Sequence, residues 1–290
     1  RQARPKQMLR LGRSTTLFQD AIERLDGLVK EDHIYIVTVA DQAKALQDQC
    51  PQIQAENFLI EPQPRGTASV VGLASAFLLK KDPEAVMAVL TADHFIENIN
   101  LYQILLKSAF QTAMRGYLVT LGITPTFAST GYGYIHRGEI IDFGGEMRYY
   151  RVNQFKEKPD LVNANAFFES GQYYWNSGMF IWRVDQIWGE FMRLMPDLFT
   201  TLEAIYQEVG SENQTVIINK LWAGITPQTI DYGIMEQAEN VVVLPAEDLG
   251  WNDVGSWDSL FDVLQPNSSG NIVVDADVLS IDCKGSILLS

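Results

Sequence analysis

The chain has 290 residues, 47% apolar and 20% charged, the balance of a globular protein with room for one large domain or two ordinary ones. A formal net charge of −14 argues against a nucleic-acid partner, because backbone phosphates repel such a field. No apolar run approaches the roughly 20 residues of a membrane span and the first residues are basic and polar, so a cytoplasmic protein with no membrane partner is expected.

Positive charge gathers at the start, where Arg1, Arg4, Lys6, Arg10 and Arg13 have no acid among them. Such a stretch is either a solvated arm or a phosphate-binding segment. Leu17, Ile22, Leu25 and Leu28 recur at helical spacing and predict a helix over residues 16–29, followed by a strand at "HIYIVTVA" (33–40). The alternation continues with a helix from Asp41, a strand at 57–60, a helix at 67–80, a strand at 85–92, a helix at about 100–115 and a strand at 117–123. Strands alternating with helices predict an α/β fold with a mostly parallel sheet flanked by helices. After Pro125, glycines at 131, 133, 138, 144 and 145 punctuate short strands up to residue 159, and a helix is expected at 161–170. This stretch, about 125–182, is expected to be an insertion at the open end of the sheet. Helices near 184–209 and 231–239, a strand at 241–245 and a helix near 256–264 complete a body running to residue 265. Residues 266–290 change to short β-runs, either a small appendage or the opening coils of a β-solenoid.

Open parallel sheets bind ligands beyond the carboxyl ends of their strands. "AVMAVL" ends in "TADHF", which puts Asp93 there, as a turn or cap residue or as a metal ligand. "GWNDVGSWDSL" sets Asp253 among residues that belong in an interior, where a carboxylate needs a cation or a dense hydrogen-bond shell; an Asx-type turn is the other reading. Two convergent carboxylates suit Mg²⁺ with water and phosphate oxygens filling its remaining positions. In "EPQPRGTASVV", Gly66 could admit a ligand close to the backbone and Thr67 opens a helix, as a cap or beside a bound polar edge. "FKEKPD" places Glu157 and Lys158 together, as a surface ion pair or as a hydroxyl acceptor beside a phosphate-holding cation. Asn176 lies among aromatics in "YYWNSGMFIW", and Gly133 in "TGYGYI" permits close backbone approach or a hairpin turn. Cys50 and Cys283 lack metal-ligand spacing and the three histidines form no cluster, so neither zinc nor a disulfide framework is expected.

In chain order, "RQARPKQ", "EPQPRGTA", "LTADHFI", "GYGYI", "FKEKPD", "WNSGMF", "IDYGIME" and "GWNDVGSW" resemble the mannose-1-phosphate guanylyltransferases, within the sugar-phosphate nucleotidyltransferases. The resemblance implies a Rossmann-like body with a sugar-binding insertion that joins GTP to mannose 1-phosphate with Mg²⁺, giving GDP-mannose and pyrophosphate, and it allows a homodimer. By it, Lys6 contacts the GTP phosphates, Arg1 matches the arginine ending the family's glycine-rich loop, and Asp93 and Asp253 match its Mg²⁺-binding aspartates. Gly133, Glu157 and Asn176 match residues that hold the mannose, Lys158 the one on the sugar phosphate, and Gly66 and Thr67 look like the guanine-side wall. The glycine-rich loop itself, of the form G-G-x-G-T-R-L, would fall upstream of Arg1. Two other readings stand beside this one: a relative using another sugar or base, and a non-catalytic sugar-nucleotide-binding protein.

Overall fold

A computed structural model of the chain describes residues 5–11, 13–145, 147–256, 259–274, 278 and 281–289. Helix α1 (Leu17–Glu23) starts at a reciprocal capping box, Thr16 with Gln19, and is shorter than the predicted helix. Its apolar stripe continues to Leu28, but Gly27 takes φ +73°, a left-handed conformation that no α-helix propagates. There follow β1 (Ile36–Val39), α2 (Ala40–Gln49), β2 (Phe58–Glu61), α3 (Thr67–Lys81), β3 (Val86–Val89), β4 (Phe95–Ile96) and α4 (Ile99–Ala113). Next come β5 (Leu118–Ile123), β6 (Tyr134–Ile141), β7 (Tyr149–Lys156), α5 (Leu161–Ser170), β8 (Tyr173–Arg183), α6 (Val184–Leu194), α7 (Pro196–Glu208) and α8 (Gln214–Trp222). A π-helical turn (Asp231–Met235), β9 (Val241–Ala246), β10 (Trp251–Asn252), α9 (Leu260–Val263), β11 (Ile272–Val274) and β12 (Ile287–Leu289) complete the order. Among the described residues no helix is long and apolar enough to cross a membrane.

The chain divides into two compact units, one of Arg1–Lys30, Thr91–Gln103 and Asp248–Ser290, the other of Glu31–Leu90 and Ile104–Glu247. The larger unit holds a six-stranded sheet in the order β3-β8-β5-β9-β7-β6, and a separate parallel pair, β1 with β2. The α/β class is as expected, but this sheet is mixed. β5 and β9 run parallel, whereas β8 lies antiparallel between β3 and β5, and β7 pairs antiparallel with both β9 and β6. The stretch 125–182 thus gives β6, β7 and β8 to the main sheet. Phe180, Ile181 and Trp182 of β8 are buried consecutively, the pattern of any central strand, and that pattern carries no information about direction. β6 also pairs with β8, so β6, β7, β9, β5 and β8 form a closed circuit of pairing. Against this framework α3 is buried almost all round, through small residues such as Ala68, Ser69, Gly72 and Ala76, and packs with α6 and α7.

The smaller unit has its own core, in which Leu11, Leu17, Val254, Leu260, Ile272 and Val274 meet. Its ladders are short: β4 with β10 antiparallel, and β11 with β12 parallel. A parallel rung, unlike a hairpin, is the pairing that successive coils of a solenoid make.

Two glycines separate packing from propensity. A methyl group at Gly122 would lie 2.5 Å from Val243 Cγ2 and 2.8 Å from Tyr174 Cβ, so Gly122→Ala is expected to cost about 1–3 kcal/mol by overpacking. At Gly189, inside α6, nothing lies within 4 Å of an added Cβ, and Gly189→Ala is expected to stabilise by up to about 1 kcal/mol. Urea unfolding of the two variants checks both signs.

Candidate active site

The β4–β10 ladder explains how two acids 160 positions apart in sequence come together. Asn252 pairs with Phe95 and Trp251 with Ile96, so Asp253, one residue past β10, and Asp93, two residues before β4, leave the ladder at the same end. Lys6, on a short 3₁₀ turn (Lys6–Met8), reaches both: its Nζ lies 2.9 Å from Asp93 Oδ2 and donates to the Asp253 backbone carbonyl. All three side chains are partly exposed, where such an ion pair contributes at most about 1 kcal/mol. The arrangement therefore does more for the site than for stability.

Asp253 also makes the turn that the sequence allowed. Its Oδ1 accepts from Gly255 N–H at 2.9 Å, and the neighbouring Asn252 Oδ1 accepts from Val254 N–H at 2.7 Å. Between them Val254 sits at φ +49°, a conformation costly for a β-branched residue, and its buried side chain anchors it in the core of this unit. His94 follows Asp93 but faces Trp251, whose Nε1–H donates to His94 Nδ1 at 3.1 Å while the rings meet edge to face. Burial, outweighing the neighbouring Asp93 carboxylate, pushes the His94 pKa down to about 4, so the imidazole is neutral near pH 7. Arg24, buried beneath, donates to the His94 carbonyl at 3.1 Å and fixes that turn.

These residues fit a hard divalent cation. Asp93 and Asp253 offer oxygen donors from one ladder end, with Lys6 on the Asp93 carboxylate and on the Asp253 backbone carbonyl. Because His94 Nδ1 accepts from Trp251, the neutral imidazole carries its proton on Nε2, 3.8 Å from Asp93 Oδ1, and offers no free lone pair to a softer metal. Among the described residues no group of three or more His, Cys, Asp or Glu gathers as a closed metal cage.

In the larger unit, Gly133, Glu157 and Asn176 converge from three separate stretches. Asn176 N–H donates to the Gly133 carbonyl at 2.8 Å. A Cβ on Gly133 would lie 2.6 Å from Glu157 Oε2 and 3.4 Å from Asn176 Cβ, so glycine leaves the carboxylate the position it occupies, and a larger residue would shift the Glu157 side chain. Lys158 Nζ stands 3.5 Å from Glu157 Oε1. Beyond the end of β7, Lys158 adopts φ +38° directly before Pro159, an irregular strand end of the kind needed to bring both side chains to one side. Asn176 stands at a break in the β5–β8 register, between the pairs Thr120↔Phe180 and Gly122↔Asn176, where Gly178 takes φ +67°. Its amide is held at both ends: Oδ1 accepts from Gly178 N–H at 3.1 Å and Nδ2 donates to Asp231 Oδ1 at 2.7 Å.

Asp231 was missed as a site residue, although "IDYGIME" was one of the stretches that carried the resemblance. Burial pushes its carboxyl above the usual range, against the Asn176 hydrogen bond. Gly66 and Thr67 meet this same segment. The space a Gly66 side chain would need is filled by Gln228, whose carbonyl oxygen would lie 2.2 Å from it, and Ala68 N–H donates to that carbonyl. Thr67 Oγ1 accepts from Ile230 N–H at 2.9 Å, and the helix cap is Gly66 itself. Glycine at 66 is therefore demanded by the protein's own backbone, both by this contact and by its φ of +83°. Arg1 lies outside the described residues.

Comparison with known proteins gives the family. Residues 2–269 match the Nucleotidyl transferase family. A mannose-1-phosphate guanylyltransferase of Escherichia coli (strain K12) is 35% identical over 291 residues, 97% of this chain and 59% of its own length. Another, from Salmonella montevideo, is 37% identical over 286 residues, 95% of this chain and 58% of its own. The crystal structure of a mannose-1-phosphate geranyltransferase from Thermus thermophilus matches with a TM-score of 0.81 at 28% identity, over 98% of this chain and 86% of that one. The chain spans about three fifths of the length of the curated relatives it matches. A divalent metal is in general use among nucleotidyltransferases of this kind. By its sequence match, its fold and the residues it gathers, the chain belongs to the nucleotidyl transferase family.

Proposed function

We propose that this protein is a cytoplasmic enzyme that joins GTP to mannose 1-phosphate with the help of Mg²⁺, releasing pyrophosphate and GDP-mannose. The observation that carries the reading is the engagement of Lys6 with the Asp93 carboxylate and with the backbone carbonyl of Asp253, the latter 247 positions away in sequence, which brings both acidic residues to one ammonium. The convergence of Gly133, Glu157 and Asn176 supports the sugar half, as do the names of relatives at 35–37% identity.

The reaction brings two polyanions together. A phosphate oxygen of mannose 1-phosphate attacks the α-phosphorus of GTP in line, the bond to the pyrophosphate oxygen breaks, and no side chain acts as nucleophile. Positioning and charge neutralisation are then the protein's main contributions. Lys6 has three N–H donors and a partly exposed ion pair, so its ammonium can exchange the Asp93 carboxylate for a phosphate oxygen as the nucleotide arrives. Asp93 and Asp253 would hold the divalent cation, which supplies charge neutralisation and polarisation at the phosphoryl oxygens. His94, neutral near pH 7, places no second positive charge beside Asp93, from whose Oδ1 its Nε2 lies 3.8 Å. On the sugar side Glu157 accepts from hydroxyls, Gly133 leaves that carboxylate its room, and Lys158 holds the sugar phosphate. By resemblance Gly66 and Thr67 serve the guanine side, and their support of residues 228–230 supplies the rigidity.

Incubation with GTP, mannose 1-phosphate and Mg²⁺ is expected to release pyrophosphate, with UTP and dTTP poorer than GTP. Absence of pyrophosphate from GTP with any hexose 1-phosphate would sink the enzyme reading in favour of a binding protein. Asp253→Asn keeps an oxygen to accept from Gly255 N–H, so the turn survives while the metal loses a charged ligand. Its kcat is expected to fall by roughly a hundredfold or more with the melting temperature little changed. Lys158→Ala removes a charge-assisted contact of about 1.5–3 kcal/mol, and steady-state kinetics should show KM for mannose 1-phosphate up by roughly ten- to a hundredfold and KM for GTP near its original value.

A further inference from the structure

Asn176 can address a sugar only if its amide points one way. Amide oxygen and nitrogen are nearly the same size, so hydrogen-bond partners alone decide which is presented where. Here both ends are committed. Gly178 N–H, aimed by the left-handed glycine in the register break of β8, donates to Oδ1, and the Asp231 carboxylate accepts from Nδ2. A flipped amide would set N–H against N–H at one end and oxygen against carboxylate oxygen at the other. What remains is one N–H and one lone pair in a fixed arrangement, and a pair of neighbouring sugar hydroxyls is complementary to that arrangement.

Asp231 is placed for this work by an uncommon local structure. The turn over Asp231–Met235 is π-helical, closed by Glu236 N–H donating to the Asp231 carbonyl at 2.9 Å. Insertions of this type are frequent at functional sites. The segment is braced from behind, by Thr67 on Ile230 and by Ala68 on Gln228, and Gly233 packs so closely that a Cβ there would lie 2.5 Å from Met195 Sδ. Burial raises the Asp231 pKa, so the carboxylate is kept at a cost that its hydrogen bond with Asn176 only partly offsets. A structural filler would not need that group.

We propose that Asp231 is a positioning residue that locks the Asn176 amide and thereby sets which hexose 1-phosphate epimer the protein accepts. The inference rests on the sugar-phosphate reading given above and adds to it a residue that reads the sugar through another side chain.

Three variants test it on the full chain. Asp231→Leu keeps bulk without an acceptor, Asp231→Ala removes both, and Asp231→Asn keeps an oxygen able to accept from Asn176. With GTP fixed, Asp231→Ala and Asp231→Leu are expected to raise KM for mannose 1-phosphate tenfold or more, to leave KM for GTP within about twofold, and to narrow the preference for mannose over glucose 1-phosphate by a similar factor. Asp231→Asn is expected to restore most of both. Three variants equal to the starting protein in sugar KM and preference, or an Asn variant as damaged as the Leu one, would overturn the proposal. A measurement that needs no variant backs it should these fold poorly: side-chain ¹⁵N NMR is expected to show one Asn176 Nδ2 proton shifted downfield and slow to exchange, and a pair of protons with the shifts and rapid solvent exchange of a free asparagine amide would overturn it. The starting protein run in parallel separates the two levels. If it uses no hexose 1-phosphate at all, the functional reading fails and this inference with it; if it does and Asp231 is silent, only the inference fails.

Discussion

One ammonium group spanning a carboxylate and a distant carbonyl is the constraint on which the proposed phosphate chemistry rests. Lys6 reaches Asp93 and Asp253 only because β4 and β10, two residues each, pair in the register Trp251↔Ile96 and Asn252↔Phe95. A shift of one residue would turn each side chain to the opposite face of the ladder and send the acids apart. So short a ladder cannot hold its own register, since two strands alone are marginal in water. The register is fixed from the side: Trp251 by its bond to His94, His94 by Arg24 on its carbonyl, and Val254 by burial among Leu11, Leu17 and Leu260. Neutral His94 is part of this. A charged imidazole would compete with Lys6 for Asp93, and burial removes that competitor near pH 7.

Positive-φ backbone stands beside three of the residues expected to work. Val254 at φ +49° follows Asp253, Lys158 at φ +38° follows Glu157, and Gly178 at φ +67° follows Asn176 by two. In each case the unusual residue lies next to a polar group it redirects. The larger unit can hold such strain because the sheet around Asn176 is paired on both sides, with Gly122 and Ile123 on one edge and Tyr134 on the other. The same logic explains why Gly66 is a glycine: the backbone at Gln228 fills the space, and the stiffness so gained passes to the segment that carries Asp231.

Much of this was legible in the sequence. Helices α2 to α5 and strands β1, β2, β3, β5 and β9 fall where periodicity placed them, because each is long or apolar enough for its pattern to exceed noise. Strand direction was not legible. Phe180, Ile181 and Trp182 read the same running either way, and only pairing with β3 and β5 shows that β8 returns antiparallel. Helix α1 ended early for a local reason, Gly27, that a count of apolar spacings does not weigh. At the site, Asp93, Asp253, Glu157 and Asn176 were visible as polar residues in apolar or glycine-rich company, whereas Asp231 was not. Its meaning lies in a partner 55 positions away and in a π-helical turn, neither of which has a one-dimensional signature.

The overall charge sharpens what the site must do. At −14, the net charge of the protein repels anions such as the proposed substrates from a distance. Beyond about 10 Å that repulsion is largely screened at physiological salt, and what decides binding is the few contacts made at close range. The two lysines proposed as phosphate contacts each stand next to a carboxylate within their own unit: Lys6 by Asp93 and Lys158 by Glu157. Pairing of this kind keeps an isolated cation from collecting stray anions, and it is weak enough at partly exposed positions to yield to a phosphate with more charge and more oxygens to offer. In the proposed reaction, selectivity for the neutral part of the sugar falls to uncharged groups, and a clamped amide, with its donor and acceptor fixed in place, is suited to that task.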